Sequence, residues 1–328
     1  MDQSSPSPVL PQVLVLKRPP AFVLFGDHFY DSPKFHFLKS YESDLPLHQF
    51  LATHSHSVRA ILSSGCSIVT ADIIRLLPDL RLVVSTSAGL NHIDIAECRR
   101  RGIAVANAGT IFSPDVADAA IGLLIDVLRK ISSADRYVKR GLWTSKGEYP
   151  LACKLGGKRI GIVGLGSIGV EVAKRLESFG CHISYNSRAR KPSFPYPFYT
   201  NVRELAADSD ALIICCSLTE QTHHMIDKEV LLALGKEGVV INVARGGVVD
   251  EKEMVRCLVQ GEIGGAGLDV FEREPDVPAE LFELDSVVMT PHSAVFTMET
   301  FEELRKVVVG NLEAFFDNKP LLTPVHDH

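Results

Sequence analysis

Long apolar runs are missing from this sequence. The longest, AAIGLLIDVL at 119–128, is broken by Asp126 and falls short of the roughly 18 residues that a membrane-spanning helix requires. The opening MDQSSPSPVLPQ has no basic stretch followed by an apolar core, and it carries an acid but no arginine, so neither a secretory signal nor a transit peptide is read there. The closing PVHDH matches no peroxisomal or endoplasmic-reticulum address. Positive charge is not in excess either. Lysine and arginine number 34 against 40 aspartates and glutamates, a net charge of −6, which argues against a nucleic-acid partner or a membrane surface. No CxxC pair occurs among the seven cysteines, an odd count that fits reduced thiols packed as small apolar groups. A cytoplasmic protein is expected, with plastid entry by an atypical route as the alternative. The histidine pairs His54 with His56 and His223 with His224 have no ligand partners at zinc-site spacing, so they read as surface or turn residues and no metal is expected.

What is present is alternation. The 328 residues have an ordinary globular composition, 46% hydrophobic and 23% charged, and are enough for about two domains. Short β-type runs occur at VLVLKR (13–18), RAILSS (59–64), LRLVVSTS (80–87) and GIAVANAG (102–109), with helical stretches such as ADIIRLL (71–77) between them. A second series comprises RIGIVG (159–164), HISYNS (182–187), ALIICCS (211–217), VVINVA (239–244), GAGLDVF (265–271) and SVVMTP (286–291). Strands that are apolar throughout and separated by helices predict an α/β protein with parallel sheets covered on both faces. Between the two series, residues 113–141 read as a long helix, with Ser113 as its N-cap and Pro114 at its first position. The segment 298–319 reads as an amphipathic helix, and the proline- and aromatic-rich KPSFPYPFY (191–199) reads as a surface loop.

VGLGSIG at 163–169 supplies Gly164, Gly166 and Gly169 between a strand and a helix, the context in which a GxGxxG motif signals dinucleotide binding. Leu165, Ser167 and Ile168 complete the turn, and the helix start presents free N–H groups and a positive dipole end to a pyrophosphate. A site for NAD usually ends the second strand with an acid that binds the ribose 2′-hydroxyl. This chain has Tyr185-Asn186-Ser187-Arg188 there, with Arg190 and Lys191 behind. Ser187 can donate a hydrogen bond to a 2′-phosphate and Arg188 a charge-assisted one. NADPH is therefore the expected cofactor, with NADH weaker.

Three motifs follow at strand ends: NVARGG (242–247), GLDVFEREP (267–275) and TPHSA (290–294). With STSAGLNHID (85–94) and KPLLTPV (319–325), they make the chain resemble the D-isomer-specific 2-hydroxyacid dehydrogenases. GGAGLDVFEREP and VVGNLEAFF are most similar to the plant NADPH-dependent hydroxypyruvate/glyoxylate reductases and the related hydroxyphenylpyruvate reductases.

The resemblance implies two doubly wound parallel-sheet domains, a Rossmann dinucleotide-binding domain at 116–299 inserted into a flavodoxin-like substrate domain at 1–115 and 300–328. It implies that Arg245 binds the carboxylate and keto oxygen of a small 2-keto acid. His292 would be the general acid, with Glu274 orienting its ring and favouring its protonated form. Backbone N–H groups near Ala88 and Gly89 would hold the carboxylate, Asp269 would contact the nicotinamide end, and Cys215, Ser217, Val243 and Ala244 would line the cofactor. A homodimer is implied through the segment around 115–150, with Trp143, the lone tryptophan, either reaching the partner's site or serving in packing. Ser293-Ala294-Val295-Phe296 departs from the usual continuation after the histidine, and Ala88 stands where many relatives carry valine, so the substrate side chain is less defined than the chemistry. The expected activity is reduction of hydroxypyruvate and glyoxylate. The alternatives are 4-hydroxyphenylpyruvate reduction by the same mechanism, or dinucleotide sensing of the corepressor kind.

Overall fold

The computed structural model describes residues 10–325; the targeting signals sought at residues 1–9 and 326–328 lie outside the described residues. The chain divides into two compact units. One runs to Phe112 and resumes at Thr297, and the other is Ser113–Phe296. These breaks fall three residues before the positions read from sequence, because each sits at a helix start. Ser113 is itself the first residue of the helix Ser113–Arg129 and not its cap. Thr297 caps the helix Met298–Phe316, its hydroxyl accepting the Thr300 N–H at 3.2 Å.

The first unit holds five parallel strands: β1 (Gln12–Val15), β2 (His36–Lys39), β3 (Val58–Ser63), β4 (Leu82–Ser85) and β5 (Ala104–Ala106). Their spatial order is β2-β1-β3-β4-β5, the flavodoxin-like arrangement. Leu14, Ile61 and Val83 from adjacent strands meet Ile74 and Leu77 in a fully buried core. Fully buried Asn311, on the helix Met298–Phe316, ties the end of the chain into this unit. Its Nδ2 donates to the Val307 carbonyl at 2.8 Å and to Thr323 Oγ1 at 2.9 Å, and its Oδ1 accepts the N–H groups of Leu322 and Thr323 at 3.0 and 3.2 Å. Thr323 in turn donates to the Asn107 carbonyl at 2.6 Å, just beyond β5.

The second unit holds seven parallel strands: β6 (Arg159–Val163), β7 (His182–Asn186), β8 (Phe198–Tyr199), β9 (Ala211–Ile214), β10 (Val239–Asn242), β11 (Gly265–Leu268) and β12 (Val287–Met289). The order β12-β11-β10-β9-β6-β7-β8 is the Rossmann order extended by one strand. β9, β10 and β11 are buried along their whole length, as strands covered on both faces must be.

Three local differences from the sequence reading have physical causes. The edge strands β2 and β8, of four and two residues, were not read from sequence; β8 lies inside the proline-rich stretch read wholly as loop. The helix read over 113–141 is broken at Lys130, which adopts a left-handed conformation (φ 56°) between Ser113–Arg129 and Ile131–Lys139. Asp126 captures the Ser132 N–H at 2.7 Å, an alternative to the helical ladder that favours the break. All seven cysteines are free, but Cys66 and Cys153 are exposed and so do not pack as apolar groups. Among the described residues, no helix is long and apolar enough to cross a membrane.

Replacing Asn311 with alanine leaves the Leu322 and Thr323 N–H groups without their acceptor. Asn311→Ala is expected to cost about 1–3 kcal/mol, read as a lower urea midpoint for the unit that contains it. An unchanged midpoint would show that the asparagine is not the tie described.

Candidate active site

β6 is the strand at which the sheet order reverses, flanked by β7 and β9, and ligands of open α/β sheets bind outside the carboxyl ends of strands at such a point. The glycine fingerprint begins there. Gly164 (φ 98°) packs so closely on the segment after β9 that a Cβ would lie 2.6 Å from the Cys216 nitrogen, and a Cβ on Gly169 would lie 2.2 Å from the Gly164 carbonyl oxygen. Gly166, by contrast, faces open space, with nothing within 4 Å of a Cβ placed on it. The turn is thus tight where helix and strand must meet and open where a pyrophosphate would approach the helix Ser167–Ser178. The Leu165 side chain is buried, so this residue offers only its backbone, while Ser167 is exposed and Ile168 half-buried. These features fit a dinucleotide.

At the end of β7, Asn186 donates to the Tyr199 carbonyl at 2.9 Å, which ties β7 to the region of β8. Ser187 donates its hydroxyl hydrogen to the Ala189 carbonyl at 2.6 Å. Arg188 is exposed and, among the described residues, has no acidic partner. Cys215 and Cys216 follow β9 and Ser217 is exposed beyond them; burial pushes both thiols up, Cys216 to about 11.

Arg245, Glu274 and His292 are brought together, each in a segment that follows a strand. After β10, buried Asn242 braces the Val243–Arg245 turn from both sides: its Oδ1 accepts the Ala244 N–H at 3.1 Å and its Nδ2 donates to the Arg245 carbonyl at 3.0 Å. Val243 and Ala244 are buried. A Cβ on Gly246 would lie 1.9 Å from the Phe271 carbonyl carbon, so the arginine turn rests directly on the segment that carries Glu274. The Arg245 guanidinium donates to the Ala244 carbonyl at 2.6 Å, and its remaining donors have no acceptor among the described residues. Burial lowers its pKa and the neighbouring Glu274 charge opposes that shift.

His292 Nδ1 lies 2.7 Å from Glu274 Oε2, while Glu274 Oε1 accepts the Phe271 N–H at 3.0 Å. Burial alone would raise the Glu274 carboxyl. The hydrogen bonds from His292 and Phe271, with the His292 and Arg245 charges, outweigh it and hold the group below its ordinary value. An ionised carboxylate only accepts, so Nδ1 carries the hydrogen and Nε2 is left without a protein partner among the described residues.

His292 itself sits in the left-handed region (φ 51°), which a non-glycine residue occupies only when its surroundings enforce it. Asp269 does the enforcing. Its carbonyl accepts the His292 N–H at 2.8 Å, and its buried carboxylate accepts Thr290 Oγ1 at 2.6 Å and the N–H groups of Ser293 and Ala294 at 2.8 and 3.2 Å. The carboxylate that the family resemblance places at the nicotinamide end thus braces the histidine loop through three donors.

Two further groups lie outside the site as read from sequence. Glu251, buried, accepts the Glu272 N–H at 3.0 Å and so steadies the segment leading to Glu274. His223 and His224, dismissed as ligands, gather with Glu272. Spacing along the chain could not reveal either, because Glu272 lies 48 positions beyond His224.

In the other unit, Ala88 and Gly89 follow β4. The Ala88 carbonyl accepts from Asn107 Nδ2 at 2.8 Å, and among the described residues neither Ala88 nor Gly89 has an acceptor for its own N–H.

A family description, D-isomer specific 2-hydroxyacid dehydrogenase, NAD binding domain, matches residues 121–294. A glyoxylate/hydroxypyruvate reductase of Arabidopsis thaliana is 53% identical over 315 residues, 96% of this chain and 97% of that protein. A hydroxyphenylpyruvate reductase of Plectranthus scutellarioides is 50% identical over 276 residues, 84% of this chain and 88% of that protein. Among solved structures, an NADPH-dependent glyoxylate/hydroxypyruvate reductase of Sinorhizobium meliloti in complex with NADP and malonate is similar with a TM-score of 0.86 at 33% identity, covering 96% of each chain. With a nucleotide-binding sheet, a hydrogen-bonded His–Glu pair and an adjacent arginine already in place, these likenesses identify the chain as an oxidoreductase that belongs to the D-isomer specific 2-hydroxyacid dehydrogenase family.

Proposed function

We propose that the protein is an NADPH-dependent reductase of small 2-keto acids, acting on glyoxylate and hydroxypyruvate. The observation that carries this reading is the 2.7 Å contact between His292 and Glu274 beside the unspent donors of Arg245. Reducing a 2-keto acid calls for an anchor for the carboxylate, a proton for the oxygen and a hydride for the carbon. NADPH, when bound, supplies the hydride. Arg245 grips the carboxylate and the keto oxygen with its planar fork. As an imidazolium, His292 gives its Nε2 proton to that oxygen as negative charge builds on it and is left as the neutral ring with hydrogen on Nδ1, which Glu274 accepts and holds in place. Ala88 and Gly89 contribute backbone N–H donors to the carboxylate. The fingerprint residues Gly164 to Gly169, the segment Cys215–Ser217 and the Val243–Ala244 turn form the cofactor's bed. Ser187 and Arg188 face the 2′-phosphate, and NADH binds more weakly.

The choice of glyoxylate and hydroxypyruvate follows the Arabidopsis relative, at 53% identity. The Plectranthus relative keeps 4-hydroxyphenylpyruvate as the second candidate. The working form is a homodimer in the cytoplasm. Its contact face is the segment around 115–150, where Ile131, Val138 and Trp143 are exposed.

Following NADPH absorbance against glyoxylate, hydroxypyruvate, pyruvate and 4-hydroxyphenylpyruvate tests the proposal. Turnover is expected to be fastest with the first two. Binding of NADPH without turnover of any keto acid would instead support the sensing alternative. His292→Ala is expected to lower kcat by about 10²–10⁴-fold, and an unchanged kcat would remove His292 as the proton donor. Arg188→Ala is expected to weaken NADPH by about 10–150-fold, the loss of one charge-assisted hydrogen bond, with little effect on NADH. Equal weakening of both cofactors in direct binding measurements would show that Arg188 does not read the phosphate.

A further inference from the structure

We propose that His223, His224 and Glu272 form a binding site for a divalent transition-metal ion, separate from the groups assigned to reduction. His224 adopts a left-handed conformation (φ 51°), and the two consecutive imidazoles stack, with ring centroids 3.9 Å apart and planes inclined by 25°. Consecutive side chains in extended backbone point to opposite faces; this turn brings two ring-nitrogen ligands to one side. Glu272 arrives from the segment after β11, its Oε1 lying 3.0 Å from His224 Nε2. One ligand atom from each of the three residues lies within 4.8 Å of the other two.

All three backbones are fixed before any ion arrives. The His223 N–H donates to the Thr219 carbonyl at 2.9 Å and the His224 N–H to the Gly247 carbonyl at 2.9 Å. The Glu272 N–H donates to the buried Glu251 carboxylate at 3.0 Å. Only side-chain rotation is then needed to close the site, which keeps the ordering cost low. Two imidazoles and one carboxylate are ligands for zinc, cobalt, nickel or copper, whereas magnesium and calcium require oxygen ligands. His223 is exposed and the His224 and Glu272 side chains are each about one-third exposed, so the remaining coordination positions are open to water.

The competing arrangement is His224 held between Glu272, at 3.0 Å, and Asp250, 4.0 Å from its Nδ1, with His223 merely stacked beside it. His223 distinguishes the two, because those contacts do not need it. A bound ion would also link the segment after β9 to the segment after β11, independently of what the protein reduces.

The test uses the full-length protein, stripped with chelator, titrated with cobalt(II) and followed by its visible absorption, with zinc as competitor and isothermal titration as the second measurement. The expected result is one saturable site, bleached by zinc and reversed by chelator. His223→Gln and Glu272→Gln are each expected to weaken it at least about tenfold, since even loss of an outer-shell partner has that effect. Unaltered circular dichroism and thermal midpoints of the metal-free variants would show that they fold. Absence of saturable binding, or wild-type affinity in both folded variants, overturns the site. Keto-acid turnover does not enter the readout, so failure here leaves the reductase reading intact, and the reverse holds equally.

Discussion

Parallel strand pairing is the constraint from which the rest of the second unit follows. Every strand from β6 to β12 runs in one direction, so every carboxyl end opens at the same edge of the sheet. Parallel neighbours need long crossovers, usually helical, which is why groups gathered at that edge are scattered from Gly164 to His292 along the chain. Reversal of the strand order at β6 lets the segments after β6 and β9 diverge above the sheet. The close approach of Gly164 to Cys216 fixes where that divergence starts.

Two carboxylates on this edge divide the work of holding one imidazole. Asp269 acts on the backbone, capturing the N–H groups that follow His292 and keeping the residue in a conformation it would not choose alone. Glu274 acts on the ring, and its depressed pKa means that it remains a charged acceptor well into mild acid. A carboxyl group whose pKa lies below its unfolded value adds stability above that value and gives it up as pH falls through the folded one. The orientation of the ring and a small part of the stability of this unit are therefore lost together, on the acid side. Asn242 does for Arg245 what Asp269 does for His292, bracing a turn through backbone groups.

How much of this was legible in the sequence depended on range. The core strands were visible because a covered parallel strand has to be apolar along its length, as in ALIICCS and VVINVA. The fingerprint was visible because Gly164 and Gly169 are demanded by local contacts and Gly166 keeps the turn open between them. The edge strand β8 was hidden because it is two residues long and lies among prolines. The helix break at Lys130 was hidden because the apolar period continues up to it and the cause is a hydrogen bond from the Ser132 N–H to the Asp126 carboxylate. The structure brings Arg245, Glu274 and His292 together, and the family motifs mark all three; the geometry that holds them was not visible. The inward turn of Asp269, the bracing by Asn242 and the approach of Glu272 to His224 all join residues distant in sequence or hinge on a rotamer, and neither leaves a periodic trace.

Burial of Arg245 carries the argument on to substrate class. Its guanidinium is half-buried, enough to lower its pKa, donates to one protein carbonyl, and is attracted by a carboxylate already committed to His292 and Phe271. Donors left unmet in a partly dehydrated place cost free energy. That cost is relieved most by a ligand that is both anionic and planar, with two acceptors at the spacing of the guanidinium fork. A 2-keto acid has these features, whereas a neutral aldehyde or ketone offers one weak acceptor and leaves the charge unanswered. On the proposed function, discrimination between keto acids and simple carbonyl compounds would reside in the state of Arg245 before substrate arrives. Discrimination among keto acids is left to whatever borders the substrate side chain.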